Sequence, residues 1–323
     1  MIDLGTPFAV RAAVTLRLPE LIGAGVVRVG ELVARTGADP DALRRLLSHL
    51  VRVGLFDEVE PGVYGLNAVS ELLPAHTLRD WLDLDGPGLK IDLTYSGIMH
   101  SLRTGEPAYG EVHGRAFWDE VAVDPAFGSM VNGVMATATA RENAPQLATE
   151  YDWSGVRTVV DVGGGLGVQL AEVLRAHPHL RGILVDLPPT ASAAERVLAE
   201  AGVAERAEVR PGSFFDELPA GADVYLVSRV LTDWDDEKAA KILERCARAV
   251  APGGQVLILE VLPSPERDRL RSSFDLQMLL LIGGRERTVA DFGELAARAG
   301  LALTSSRIFD NGLTLIECDR KDR

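Results

Sequence analysis

Three glycines and one aspartate have the types and spacing of a nucleotide-binding site. The β-branched run from Val159 to Val162 leads directly into a turn that contains Gly163, Gly165 and Gly167. Glycine lets the backbone approach a ligand closely, because no side chain stands in the way. A second apolar run ends on Asp186, about 20 residues further on, where a carboxylate is placed to bind ribose hydroxyls.

The glycine spacing distinguishes between nucleotides. The pattern is G-x-G-x-G, and the last glycine of the dinucleotide pattern G-x-G-x-x-G is missing, since Val168 or Leu170 stands at its position. A ligand with one ribose and no pyrophosphate fits better, and S-adenosylmethionine is the common one. The alternative is a glycine-rich turn without a ligand, and Asp186 argues against it.

Strands and helices alternate through the second half of the chain and position these residues. Apolar runs at 182–185, 207–210, 222–227 and 256–261 predict strands, with helical patterns between them. Two further runs flank the Asn311-Gly312 step, which predicts a hairpin. We therefore expect an α/β fold with a doubly wound, Rossmann-like sheet that ends in an antiparallel hairpin.

The first third of the chain is predicted to be helical. Asp39 and Pro40 have the types expected at a helix N-cap and at the first helical position. Residues 55–66 are predicted to form a hairpin, so helix, turn, helix and hairpin make a winged-helix pattern. The apolar stretch 9–22 is expected to be one buried helix, with a second subunit as a possible cover.

Charge decides between two roles for the winged-helix pattern. DNA binding is its first association, but a phosphate-binding surface needs clustered Lys and Arg. Residues 29–73 carry four arginines and seven acidic residues, and the whole chain has a net charge of −14. We therefore expect a structural or dimerising role and no nucleic-acid partner.

Composition narrows the remaining possibilities. The only two cysteines, Cys246 and Cys318, suit a reducing cytoplasm. The sequence has no apolar stretch of membrane-spanning length and no signal-peptide pattern at its N-terminus. His100 and His113 lack the spacing of metal ligands. We therefore expect a cytoplasmic protein that uses no metal and no membrane.

Residues 81–135 are predicted to form a helical connector that is rich in aromatic residues. Aromatic side chains at such spacing usually belong to a core, but beside a cofactor domain they can line a flat apolar pocket. Both possibilities stay open for Tyr109 and Trp118, whereas Trp81 is expected in the core. The predicted substrate-binding set consists of Tyr109, Trp118 and Met278.

Five sequence blocks in a fixed order carry a family resemblance. They begin at Asp161, Gly212, Val230, Ala251 and Gly284, and they read DVGGG, GSFF, VLTDWDDE, APGG and GRERT. They resemble the caffeic-acid-type family of S-adenosylmethionine-dependent O-methyltransferases, and most of all its bacterial members that tailor aromatic polyketides such as anthracyclines. The resemblance covers nearly the whole chain.

The resemblance implies a fold, a cofactor and partners. The fold is a Rossmann-like methyltransferase sheet with an N-terminal α-helical winged-helix dimerisation domain. Residues 1–145 would dimerise and line the substrate, and residues 146–323 would bind S-adenosylmethionine. A homodimer and an aromatic small-molecule substrate are also implied.

The resemblance also assigns cofactor contacts. Gly163 and Gly165 would approach the methionine part, and Asp186 would hold the ribose. The other contacts that it implies are Leu187, Ser213 and Phe214 at the adenine, Ser228 and Arg229 under the cofactor, Trp234 over the adenine ring, and Met135 and Thr139 on the far side. The family usually has Asp at the position of Ser213 and, in many plant members, Lys at that of Ser228.

A third departure concerns the general base. The family uses the His of a His-Asp-Trp motif, whereas this chain has Thr232-Asp233-Trp234. A hydroxyl with an ordinary pKa cannot accept a phenolic proton near neutral pH. The implied catalytic positions are Thr232, Asp233, Glu260 and Glu286, of which the two glutamates orient the His in the family. A phenol acidified by a neighbouring carbonyl needs less help, because proximity alone lowers the barrier.

Three functions follow in order of preference. The first is S-adenosylmethionine-dependent methylation of a phenolic hydroxyl on an aromatic polyketide or a similar secondary metabolite. The second keeps the fold and the cofactor for non-methylating chemistry, namely hydroxylation or decarboxylation, with which the loss of the base is compatible. The third is a metabolite-sensing winged-helix regulator, against which the acidic front argues.

Overall fold

The computed structural model describes residues 3–74, 76–138, 144–263 and 273–321. The chain divides into two units, Met1–Leu93 and Thr94–Arg323. The elements of the first unit are α1 (Gly5–Thr15), α2 (Leu18–Gly23), α3 (Val29–Thr36), α4 (Pro40–Arg52), β1 (Phe56–Glu60), β2 (Val63–Leu66), α5 (His76–Leu82) and α6 (Leu89–Leu93).

The first unit has the predicted capped helix and hairpin. The Asp39 side chain accepts hydrogen bonds from the backbone N–H groups of Asp41 and Ala42 at the start of α4. Strands β1 and β2 pair antiparallel. Apolar side chains from α1 to α4 and from the hairpin form one core, whose fully buried members include Leu18, Leu32, Leu43, Leu47, Leu50 and Phe56.

The prediction of a single helix over residues 9–22 is wrong, because the helical conformation is interrupted at Arg17. A continuous helix would press the ring of Pro19 against the preceding turn and lose a hydrogen bond. Arg17 instead has φ +56°, and Pro19 lies in the first turn of α2. Trp81, which was expected in the core, is only half-buried, and nothing in the structure explains why.

The second unit is built on a seven-stranded sheet. In chain order the strands are β3 (Thr158–Val162), β4 (Arg181–Asp186), β5 (Ala207–Pro211), β6 (Val224–Ser228), β7 (Gln255–Val261), β8 (Leu301–Ile308) and β9 (Leu313–Arg320). The spatial order is β5-β4-β3-β6-β7-β9-β8. The first five strands are parallel, and β9 pairs antiparallel with both β7 and β8. The predicted doubly wound sheet and its terminal hairpin are confirmed.

Helices surround this sheet. They are α7 (Ile98–Thr104), α8 (Tyr109–His113), α9 (Phe117–Val123), α10 (Pro125–Ala138), α11 (Ala144–Glu150), α12 (Val168–Ala176), α13 (Pro188–Glu200), α14 (Asp236–Ala249), α15 (Phe274–Ile282) and α16 (Val289–Arg298). Successive residues of β6 point to opposite faces, so Val224 and Leu226 enter one core while Tyr225 and Val227 enter the other. None of the described helices has the length and apolarity that crossing a membrane requires.

The carboxyl ends of the parallel strands gather the predicted site residues. Gly163 follows β3, Asp186 ends β4, Ser228 ends β6, and Glu260 lies near the end of β7. Strand β3 pairs with β4 on one side and β6 on the other; the chain continues from β3 to β4 in one direction and from β6 to β7 in the opposite direction. Ligands of open α/β sheets bind in the crevice at such a switch point.

Candidate active site

The glycine turn after β3 has a backbone that only glycine adopts without strain. Gly163, Gly165 and Gly167 have φ values of +71°, +57° and +77°. A Cβ on Gly163 would lie 2.9 Å from Val230 Cγ2, whereas a Cβ on Gly165 would meet no atom within 4 Å. Neighbouring side chains therefore pack against the turn at Gly163. At Gly165 the turn is open, and a ligand can approach the backbone there.

Asp186 fixes the shape of this turn. Its Oδ2 accepts a hydrogen bond from Gly165 N at 2.8 Å, and its Oδ1 accepts one from Leu187 N at 2.7 Å. Burial raises the pKa of Asp186, and the two backbone hydrogen bonds partly oppose that shift. Each carboxylate oxygen keeps further lone pairs, so Asp186 can still accept hydrogen bonds from a ligand.

Asp161 is a buried carboxylate that the sequence analysis did not assign to the site. It is 1% exposed, and within the described ranges neither oxygen has a hydrogen-bond partner. Burial, reinforced by the charge of Asp186, raises its pKa to about 7. A Cβ on Gly164 would lie 2.6 Å from Asp161 Oδ2, so the carboxylate lies directly against the turn. Such unsatisfied, perturbed groups mark functional sites.

Aromatic rings form one wall beside the turn. Trp234 receives the edges of Phe214 and Phe215 at centroid distances of 5.9 and 4.9 Å. Trp118, on α9, lies over Trp234 at 6.3 Å with an interplanar angle of 23°. Ser213 Oγ accepts a hydrogen bond from Phe215 N at 3.2 Å, which holds the segment that carries Phe214.

Thr232, at the position that the resemblance implies for the family base, is bound to Glu260. The turn Leu231–Asp233 is a short 3₁₀ helix. Thr232 Oγ1 donates to Glu260 Oε2 at 2.9 Å, while Leu231 N and Thr232 N donate to Oε1 at 3.1 and 3.3 Å. Glu260, itself 1% exposed, thus holds the turn in place through three hydrogen bonds.

Arg229 supplies the positive charge next to this carboxylate. Its backbone has φ +57°, a conformation that costs a non-glycine residue energy and that clusters at functional sites. Arg229 Nε lies 3.6 Å from Glu260 Oε2. Burial raises the pKa of Glu260, and Arg229 is the largest opposing influence. Burial and the charge of Glu260 raise the pKa of Asp233 to about 8.

The segment that contains Gly284 and Arg287 also packs against the Thr232 turn and holds it in place like a clamp. Arg287 is 1% exposed, and it donates to the carbonyl oxygens of Leu231 and Trp234 at 2.7 Å and to Asp236 Oδ1 at 2.7 Å. A Cβ on Gly284 would lie 2.1 Å from the carbonyl oxygen of Thr232. The block GRERT is therefore built to pack against the block VLTDWDDE, a role for Arg287 that the sequence analysis missed.

Two other predicted residues lie around this clamp. Glu286 N donates to Asp275 Oδ1 at 2.7 Å, which ties Glu286 to the start of α15. Helix α15 carries Met278 and packs against the Leu231–Asp233 turn and against α8 and α9. Met278 therefore lies on the helix that joins the turn to the aromatic connector.

Tyr109 lies deeper than Trp118. It is fully buried among His113, Phe117 and Phe127, and burial raises its pKa. Its hydroxyl and Trp118 Nε1 are buried without hydrogen-bond partners in the described part of the chain. The two open possibilities thus stay open, because both side chains are packed in aromatic surroundings and both present an unsatisfied polar atom.

The contacts predicted on the far side of the cofactor are only partly described. Asn132 Nδ2 donates to Thr190 Oγ1 at 3.4 Å and connects α10 to α13. Met135 follows Asn132 on α10 and is 43% exposed, and Leu187, just before α13, is 37% exposed. Thr139 lies outside the described residues.

Comparison with known families identifies the class of protein. The O-methyltransferase domain matches residues 95–302, and the O-methyltransferase dimerisation domain matches residues 4–75. The chain therefore belongs to the O-methyltransferase family, as the five sequence blocks predicted.

Its relatives include proteins of two Streptomyces species. The chain is 44% identical to the 2,7-dihydroxy-5-methyl-1-naphthoate 7-O-methyltransferase of Streptomyces carzinostaticus, over 94% of this chain and 92% of that protein. It is 42% identical to aclacinomycin 10-hydroxylase RdmB of Streptomyces purpurascens, over 94% and 83% of the two chains.

A solved structure shows the same architecture with ligands bound. It is the O-methyltransferase NcsB1 from neocarzinostatin biosynthesis, in complex with S-adenosylmethionine and 2-hydroxy-5-methyl naphthoic acid. The match covers 99% of this chain and 97% of that chain, with 41% identity and a TM-score of 0.89.

Replacing Asp161 with asparagine is expected to stabilise the ligand-free protein at pH 8. The pKa of Asp161 is raised from 3.8 to about 7, so the folded protein holds this proton more tightly than the unfolded chain. Stability therefore falls as the pH rises through that range, and asparagine removes the loss. We expect the Tm of the variant to exceed that of the wild type by roughly 2–4 °C at pH 8.

Thermal unfolding followed by circular dichroism at pH 5 and pH 8 checks this expectation. The difference should shrink at pH 5, where Asp161 is protonated in the wild type. Asp310→Asn, at an exposed position, is the matched control and should show no such pH dependence. A wild type at least as stable as Asp161→Asn at both pH values would contradict the charge assigned to Asp161.

Arg287→Met is expected to destabilise the protein by about 2–4 kcal/mol, because two buried carbonyl groups lose their donor. The matched control is Arg285→Met, which also loses an ion pair with Asp236 but from a side chain that is 51% exposed. An exposed pair of this kind is worth about 0.2–1 kcal/mol. Urea unfolding of both variants measures the difference, and equal losses would show that Arg287 is no clamp.

Proposed function

We propose that the protein transfers a methyl group from S-adenosylmethionine to a phenolic hydroxyl of an aromatic polyketide or a similar secondary metabolite. The observation that carries this proposal is the unpartnered Asp161 carboxylate beside Asp186 at the glycine turn. When bound, S-adenosylmethionine supplies an electrophilic methyl group on a positively charged sulfur.

The chemistry of the site fits this cofactor. Asp161 and Asp186 are acidic groups in a partly buried site, and a ligand that carries positive charge removes their mutual repulsion. The open space over Gly165 admits a ligand to the backbone, and the rings around Trp234 form an apolar wall for a flat base. The residues that would hold it are Gly163, Gly165, Asp186, Leu187, Ser213, Phe214, Ser228, Arg229, Trp234, Met135 and Thr139.

An aromatic acceptor fits the neighbouring layer. Trp118 lies over Trp234, and Met278 is on the helix that packs against the Thr232 turn. These side chains and Tyr109 would hold a flat acceptor, in keeping with the naphthoic acid in the NcsB1 complex. Because the Thr232 hydroxyl donates to Glu260, it has no proton left to donate to the acceptor, and its oxygen can only accept a hydrogen bond from a polar group of the ligand.

Non-methylating chemistry is the second candidate. The observation that favours it is the 42% identity to a protein named as a hydroxylase, together with Thr232 at the position of the family base. In that case the cofactor site would serve hydroxylation, and no methyl group would reach the product.

Incubation with S-adenosylmethionine labelled in its methyl group, and with hydroxynaphthoates and hydroxyanthraquinones, tests the proposal. We expect a product that has gained the labelled methyl group, detected by mass spectrometry. Asp186→Ala should weaken cofactor binding at least tenfold by calorimetry, because a hydrogen bond to a charged group contributes roughly 1.5–3 kcal/mol. Cofactor binding without labelled product on any acceptor, or a product that has gained oxygen instead, would contradict the proposal.

We further propose a cytoplasmic homodimer with no nucleic-acid partner, in which residues 1–145 dimerise and line the substrate while residues 146–323 bind the cofactor. The buried face of α1 and α2 belongs to the core of the first unit, so the candidate contact surface is a different one. Leu4 and Phe8 are 69% and 43% exposed at the start of the chain, and exposed apolar side chains of this kind mark interfaces.

Light scattering at micromolar concentration should give about twice the chain mass of 34.7 kDa. Phe8→Glu should shift the protein towards the monomer, because a charge in an apolar interface is costly. Val59→Glu, on the exposed hairpin, is the matched control and should stay dimeric. A wild type that runs as a monomer would refute the dimer.

A further inference from the structure

Asp233 is a half-buried residue in the Thr232 turn, and its carboxylate forms no hydrogen bond or salt bridge within the described part of the chain. Asp233 is partly exposed. The carboxylates of the neighbouring Glu260 and Asp236, in contrast, already have hydrogen-bond or ion-pair partners. Glu260 accepts three hydrogen bonds and lies beside Arg229. Asp236 pairs with Arg285 and Arg287. Asp233 alone among these three has a carboxylate that is available to a ligand.

We propose that Asp233 is the general base of the reaction, in place of the histidine of the family motif. The proposal rests on the proposed function. It assigns to Asp233 the role of general base, which the His-Asp-Trp motif of the family assigns to the histidine. Asp233 lies one residue from the base position, in a turn that Glu260 and Arg287 hold rigidly. A rigid turn holds the carboxylate in one position. General base catalysis requires this, because the base must stay within hydrogen-bond distance of the proton that it accepts.

The proton transfer balances without a further reactant. The phenolic O–H bond breaks, its proton moves to a carboxylate oxygen of Asp233, and the electron pair stays on the phenolic oxygen. That oxygen forms the new bond to the methyl carbon as the carbon–sulfur bond breaks, and the sulfur becomes neutral. Asp233 then returns the proton to water, to which the half-buried side chain has access.

Neither Thr232 nor Glu260 suits this role as well. The Thr232 hydroxyl donates a hydrogen bond to Glu260, and an alcohol is too weak a base at neutral pH. Glu260 is 1% exposed, so a proton placed on it would have no direct exit to water. Burial and the charge of Glu260 raise the pKa of Asp233 to about 8, which makes it a stronger base than an ordinary carboxylate.

Beside burial, two charged groups set the pKa of Asp233. Glu260 raises the pKa of Asp233 and Arg229 lowers it. The other titratable or charged residues on the segments that pack against the turn are Asp235 and Asp236 before and in α14, Asp275 in α15, and Arg285, Glu286 and Arg287. A cationic ligand would lower the pKa of Asp233 further, so we expect the active enzyme to titrate at or below pH 8.

The pH dependence of wild-type kcat tests the proposal without any variant. For phenols whose own pKa is near 10, kcat should rise with pH and reach a plateau, with one inflection at or below pH 8 that is the same for every such phenol. For a phenol acidified by a neighbouring carbonyl, kcat should be nearly flat. An inflection that follows the pKa of each acceptor instead would overturn the proposal.

Variants supply the second measurement. Asp233→Asn should lower kcat on ordinary phenols by about 10²–10⁴-fold, and on the acidified phenol by less than about tenfold, because little proton transfer remains to be catalysed there. The inflection should disappear in Asp233→Asn and persist in Asp233→Glu. Asp310→Asn, on the exposed terminal hairpin, should behave as the wild type.

Calorimetry in two buffers of different ionisation enthalpy gives a readout besides activity. Binding of S-adenosylmethionine at pH 8 should release protons to the buffer in the wild type, because the positive charge of the cofactor lowers the pKa of Asp233, and it should release fewer protons in Asp233→Asn. If Asp233→Asn keeps both the rate and the inflection while the wild type methylates, only the role of Asp233 is refuted. If the wild type methylates no acceptor, the proposed function fails and this inference fails with it.

Discussion

Electrostatic repulsion between carboxylates is the constraint around which the second unit is arranged. The carboxyl ends of parallel strands bring Asp161, Asp186 and Glu260 to one edge of the sheet, and the following turn adds Asp233. Burial raises the pKa of all four. Hydrogen bonds and Arg229 stabilise the charge of Glu260, whereas Asp161 has no such partner among the described residues. The site is therefore best suited to a ligand that brings positive charge.

The Thr232 turn depends on partners that are distant in the sequence. Glu260 holds it from the strand side, and Arg287 and Gly284 hold it from the outer side. Residues distant in the sequence therefore hold the frame of this turn, and the Thr232 side chain itself contributes only one of the hydrogen bonds to Glu260. Such a frame can accept a different side chain at position 232 without losing its other hydrogen bonds, which fits the departure from the family base that the resemblance implies.

Local signals allowed much of the fold to be predicted. The Asp39-Pro40 start of α4, the two hairpins and the positions of the strands along the chain all follow from residues close together in the sequence. The break at Arg17 was missed because periodicity outweighed Pro19 in the assignment of one continuous helix. Asp161 and Arg287 were missed for another reason: their importance lies in absent or distant hydrogen bonds, which only coordinates reveal.

The unpartnered Asp161 carboxylate has a consequence for the lifetime of the protein in the cell. Above pH 7 the empty protein carries an ionised, buried group that a bound cation would neutralise, so occupancy and folding stability are linked. Chaperones and proteases act on transiently unfolded molecules, and small changes in stability alter protein abundance several-fold. The supply of the ligand would therefore set how much of the protein persists, in addition to how fast each molecule works.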